Sequence, residues 1–70
     1  MERVYIGVGA NLGKPRETVE AALAALEALP GTRGHRRSRL YRTAPVGPQD
    51  QPDYVNAAMA FDTDLGPADL

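Results

Sequence analysis

Tyr54 and Asn56 sit two residues apart in Tyr54-Val55-Asn56-Ala57-Ala58-Met59-Ala60-Phe61, a run that alternates as a half-buried strand does. In an extended strand they point to the same side, about 7 Å apart. A phenol ring beside a carboxamide can read a planar heterocycle: the ring stacks on its face, and the amide donates to and accepts from its edge. The small Ala58 and Ala60 farther along leave room. A plainer reading has Tyr54 packing on a neighbouring strand and Asn56 capping a turn. The opposite side of this strand, Val55, Ala57, Met59 and Phe61, is the predicted core.

The other residues able to do chemistry have ordinary explanations. Gly7-Val8-Gly9-Ala10-Asn11-Leu12-Gly13 lies between a strand and a helix. Its spacing is one residue too long for a dinucleotide fingerprint, and Gly13-Lys14 is followed by Pro15 rather than Ser or Thr, which excludes a Walker loop. Asn11 reads as a turn residue whose side chain bonds nearby backbone. Asp62 and Asp64 have the spacing of two carboxylates facing a divalent cation, but Asp64 is accounted for as a helix cap. Arg33, Arg36, Arg37, Arg39 and Arg42 could grip phosphates, yet the run lacks interleaved exposed aromatics and reads as a solvated strand. His35, the single histidine, has no nearby carboxylate in the sequence and no Ser or Cys partner pattern, and takes no catalytic role.

The elements that must position Tyr54 and Asn56 follow in order. Arg3 to Gly9 is a first strand, with Val4, Ile6 and Val8 on one side. Pro15 to Leu29 is a helix opened by Pro15, with a stripe of Val19, Ala22, Leu23, Leu26 and Leu29 and with Glu17, Glu20 and Glu27 in solvent. Pro30-Gly31 ends it. Thr32 to Thr43 reads as one long polar strand at or near a sheet edge, where charge discourages edge pairing. Pro45, Pro48 and Pro52 stiffen Ala44 to Asp53 into an extended loop, of the kind that carries sites at little entropic cost. The third strand runs from Tyr54 to about Thr63. Asp64 or Gly66 then caps a second helix with Pro67 in its first turn. The predicted fold is α+β, the first part of a ferredoxin-like sandwich: β-α-β-β and the start of a second helix.

Composition sets the bounds. Seventy residues make at most one small domain, marginal by itself. There is no cysteine to form a disulfide or a thiolate metal site, and the net charge of −1 predicts no strong overall attraction to polyanions. No stretch is long and apolar enough for a membrane span or a signal peptide, so a cytoplasmic location with no membrane partner is expected.

Three segments together, Gly9-Ala10-Asn11-Leu12-Gly13, Tyr41-Arg42-Thr43-Ala44-Pro45, and Gly47-Pro48 through Gln51-Pro52, Tyr54 and Asn56-Ala57, resemble the 6-hydroxymethyl-7,8-dihydropterin pyrophosphokinases of folate biosynthesis. The resemblance runs from the first strand to Leu70. It implies a ferredoxin-like enzyme that transfers the pyrophosphoryl group of ATP to the hydroxymethyl group of the pterin, releases AMP and uses two Mg²⁺ ions. By this resemblance Tyr54 stacks on the pterin, Asn56 bonds its edge, and the backbone around Thr43, Pro45 and Val46 completes the wall. Gly9, Asn11 and Gly13 belong to one mobile active-site loop, and Gly47, Pro48 and Gln51 to a second.

There are departures. Ala44 stands where proline is common, and the Thr32–Thr43 strand is more basic than the family implies. The family's metal pair, its ATP-binding residues and its catalytic arginines fall after Leu70, and Asp62 and Asp64 lie in the wrong strand to be that pair. Residues 1–70 are therefore read as the N-terminal portion of a single pyrophosphokinase domain, truncated, with no catalytic or metal-binding residue of its own. It is expected to be inactive alone, and the complete enzyme a monomer without nucleic-acid partners. Two other classes compete: a small ferredoxin-like RNA-binding module using Arg33 to Arg42, and a half-domain that completes its sheet with a second copy.

Overall fold

The computed structural model describes residues 2–47 and 51–64. Its centre is β4 (Tyr54–Thr63), which pairs antiparallel on both edges. On one edge lies β1 (Glu2–Ala10), in a register that sets Val4 against Phe61, Ile6 against Met59 and Val8 against Ala57. Paired residues of an antiparallel ladder project to the same side, so these three pairs form one apolar surface. The helix α1 (Pro15–Glu27) covers it and inserts Val19 and Leu23, both fully buried. Burying Val19, Leu23, Met59 and Phe61 contributes roughly 1.5–3 kcal/mol apiece. β1 and β2 (Thr32–Arg37) run parallel on either side of β4 and are joined by α1, which makes a split β-α-β unit. The architecture is thus α+β, an antiparallel sheet with a helix on one face. The other face is open among the described residues. The predicted second helix from Gly66 and Pro67 onward, and Pro48 in the proline loop, lie outside the described residues.

The helix stops at Glu27, not Leu29. Leu29 precedes Pro30, which disfavours helical backbone at Leu29, and the chain leaves through a tighter turn in which the Leu29 N–H donates to the Leu26 carbonyl at 3.2 Å. Glu20 and Glu27 lie off the apolar stripe as expected, but they are not without partners. Both carboxylates meet Arg37, at 2.9 and 2.6 Å.

The expected single strand Thr32–Thr43 is interrupted. β2 pairs with the second half of β4, and β3 (Tyr41–Thr43) with its beginning. Between them Ser38 keeps the ladder closed: its N–H donates to the Ala58 carbonyl, and its hydroxyl accepts the Ala58 N–H, both at 2.8 Å. A side-chain oxygen here replaces a strand carbonyl. β2 also carries a bulge. Arg33 faces Asp62 while Arg36 faces Ala60, so β2 spends one residue more than β4. Gly34, at φ +65°, takes the left-handed conformation the bulge requires. In an unbroken strand Arg33 and Arg37 would share a side. The bulge turns Arg37 toward α1 and its two glutamates.

Candidate functional site

The alternation of β4 sends Tyr54, Asn56 and Ala58 to the open face, as the sequence predicts, and both Tyr54 and Asn56 are half-buried. Ala60, expected to be open as well, is buried between its register neighbours Tyr5 and Arg36. Asn56 lies at a crossing of three strands, with Gly9 of β1 on one side and Tyr41 of β3 on the other. Thr43 faces Tyr54. The Asn56 carboxamide neither caps a turn nor points away. Its Nδ2 donates to the Thr43 hydroxyl at 2.7 Å, and its Oδ1 lies over Gly9. Sequence reading placed Asn56 on this face but missed both contacts, since each depends on which residue of another strand stands opposite.

The proline loop leaves β3 through Ala44, and Pro45 turns inward and is buried, while Val46 is fully exposed. Gly47 and Gln51 are exposed, as is Gly13 in the first loop. The two loops touch: Asn11 Nδ2 donates to the Pro52 carbonyl at 3.5 Å, a long bond. That corrects the expectation that Asn11 bonds its own turn. It joins segments forty-one residues apart. Gly9, Asn11, Thr43, Tyr54 and Asn56 thus come together at one end of the sheet. A cleft of about 150 Å³ lies nearby, lined by Arg16, Leu40, Tyr41, Arg42 and Val55; it includes neither Tyr54 nor Asn56 and is a separate feature.

The remaining candidates are structural. Asp62 Oδ1 accepts from Arg3 Nη1 at 3.2 Å, and the same nitrogen donates to the Gly34 carbonyl. This hydrogen bond to Asp62 raises the Arg3 guanidinium above its ordinary range. Asp64 pairs with Arg33 at 3.1 Å. Both carboxylates of the candidate metal pair are therefore committed to arginines, and the described residues hold no cluster of three or more histidine, cysteine or acidic residues. They do not fit a Mg²⁺ site. The Thr32 hydroxyl donates to the Leu29 carbonyl at 2.6 Å, so the 2.9 Å contact to His35 must be an Nε2–H donated to Thr32. With its ring tilted on Phe61, His35 fastens the turn after α1 to the core. Among the described residues no helix is long and apolar enough to cross a membrane.

The open face therefore offers a ring and an oriented amide, an arrangement able to hold a flat polar molecule. Known proteins place the chain in a family. The family model of 7,8-dihydro-6-hydroxymethylpterin-pyrophosphokinase matches residues 5–70. A 2-amino-4-hydroxy-6-hydroxymethyldihydropteridine pyrophosphokinase of Pseudomonas aeruginosa is 51% identical over 70 residues, which are 100% of this chain and 43% of that protein. One of the same name from Haemophilus influenzae is 46% identical, again over 100% of this chain and 44% of its own length. A mitochondrial folate synthesis bifunctional protein of Pisum sativum is 38% identical over 99% of this chain and 13% of its own. The chain thus spans less than half the length of these relatives. None of these matches supports an RNA-binding module, and Arg33 and Arg37 of the basic segment are engaged with carboxylates. The chain belongs to the 7,8-dihydro-6-hydroxymethylpterin-pyrophosphokinase family.

Proposed function

We propose that this chain supplies the pterin-binding part of an enzyme that transfers pyrophosphate from ATP to 6-hydroxymethyl-7,8-dihydropterin in folate biosynthesis. The carrying observation is the Asn56 carboxamide, held by Thr43 on the open face within reach of the half-buried Tyr54 ring. Tyr54 stacks on the pterin and Asn56 bonds its edge. The backbone at Thr43, Pro45 and Val46 forms the wall, and Gly9 near the end of β1, Asn11 and Gly13 in the loop that follows, and Gly47 and Gln51 border the pocket. These residues bind and orient the pterin, and the ring's stacking excludes water from one of its faces.

Residues 1–70 are the N-terminal portion of a single domain. The strand order β1-β4-β2 is that of the first three strands of a ferredoxin-like sandwich and supports that assignment. ATP and two Mg²⁺ ions are held by residues that do not belong to 1–70; Asp62 and Asp64, the carboxylates with metal-pair spacing, each face an arginine. Pyrophosphoryl transfer needs metal to offset phosphate charge, so residues 1–70 alone bind pterin without turning over. The complete protein works as a cytoplasmic monomer.

The protein at its natural length, given ATP and Mg²⁺, should form AMP only when the hydroxymethyl dihydropterin is added. Pterin-independent AMP, or no AMP, overturns the assignment. Tyr54→Ala should weaken pterin binding by roughly 1–3 kcal/mol, the scale of stacking a flat base on an aromatic ring. An unchanged affinity removes Tyr54 from the site.

A further inference from the structure

Gly7 and Gly9 both lie on β1, both face the open side, and neither adopts a left-handed conformation. Backbone freedom therefore does not explain either. Their surroundings differ. A methyl group at Gly7 would meet nothing within 4 Å, whereas one at Gly9 would stand 2.8 Å from Asn56 Oδ1, closer than a real Cβ contact allows. The amide cannot retreat freely, because Nδ2 is held by the Thr43 hydroxyl at 2.7 Å on the β3 side. The carboxamide is gripped between the bare backbone of β1 and a hydroxyl on β3.

From this grip we infer that Gly9 is a positioning residue for pterin recognition. Its lack of a side chain lets Asn56 lie across β1 and fixes the rotation at which the amide meets the edge of the heterocycle. The inference rests on the pterin-binding reading above and extends it: Gly9 acts through Asn56 and not through the loop it precedes. An amide already held in its bound orientation loses little entropy when the ligand arrives. Substituting the glycine would push the amide off Thr43 and misplace one hydrogen-bonding group.

The test is a double-mutant cycle on the protein at its natural length, with affinity for 6-hydroxymethylpterin read by calorimetry and folding by thermal unfolding. Gly9→Ala should weaken binding about tenfold or more, the loss expected for one misplaced polar partner. Gly7→Ala should bind as the native protein does. In an Asn56→Ala background, where no amide obstructs the methyl group, Gly9→Ala should cost nothing further.

Native-like binding by Gly9→Ala overturns the inference, and so does an equal loss in both backgrounds, which would mean that the methyl group acts directly on ligand or strand. Should Gly9→Ala fail to fold, recovery of folding by adding Asn56→Ala supports the close approach, and failure of both variants to fold overturns it. Absence of pterin binding by the native protein would instead bring down the functional assignment itself, and this inference with it.

Discussion

Thr43 carries one hydrogen bond that matters for the site, and its consequences separate cleanly from those of folding. Its side chain is exposed on a short outer strand, so it contributes little to the core. Its hydroxyl accepts from Asn56. Thr43→Val keeps the shape and removes the acceptor, leaving the amide free to turn; pterin affinity should fall by about 0.5–1.5 kcal/mol, the net value of a typical hydrogen bond. Thr43→Ser keeps the hydroxyl and should restore binding. Calorimetric titration of the three proteins checks this, and a valine variant that binds as tightly as the serine variant would show that Asn56 needs no partner. Tyr54 and Asn56 could be chosen from sequence because a period of two tells which residues share a face. Their clamp could not, because Gly9 and Thr43 reach Asn56 only through the register of two other strands.

The ion-pair clamp between α1 and β2 is the contact that carries a pH dependence. Arg37 hydrogen-bonds Glu27 and holds its carboxyl below the ordinary value of 4.5; the two glutamates in turn raise Arg37, which stays charged throughout. A carboxyl lowered in the folded state binds its proton more readily when unfolded. Its contribution is complete above pH 4.5, the unfolded value, and is lost as pH falls through the lowered folded value. The pair is solvent-exposed, so the effect is small. Glu27→Gln should lower the thermal midpoint slightly at neutral pH and converge on the native protein in acid. Midpoints measured from neutral to acid pH decide it: parallel curves would mean that the clamp does not titrate with folding. The helix itself was legible in the stripe of Val19, Leu23 and Leu26, and its N-terminal end in Pro15. Its acidic residues lie toward solvent as read, but the pairing of Glu20 and Glu27 with Arg37 was not legible, because the bulge at Gly34, which turns Arg37 toward them, has no signature in local periodicity. Likewise nothing in Arg36-Arg37-Ser38-Arg39 announces that a serine hydroxyl will stand in for a strand carbonyl and divide β2 from β3.

Across the whole molecule, stability is graded along the sheet, and the grading reaches the site. β4 is paired on both edges and carries Ala57, Met59 and Phe61 into the core, so its amides should open only with global unfolding. β3 is three residues long, exposed throughout and joined only to the start of β4. Amide exchange should therefore be slowest at Met59 and Phe61 and much faster at Arg42 and Thr43. Opening of β3 would release Thr43 from Asn56 and undo the amide's orientation, so the strand expected to open most easily is the one that prepares the proposed pterin edge contact. Ligand binding should reverse this order locally. Added 6-hydroxymethylpterin should slow exchange in β3 far more than in β2, which the proposed pocket does not touch. Equal protection of the two strands would mean that the ligand stabilises the fold as a whole. Unchanged rates in β3 at saturating ligand would place the pterin away from Thr43 and Asn56.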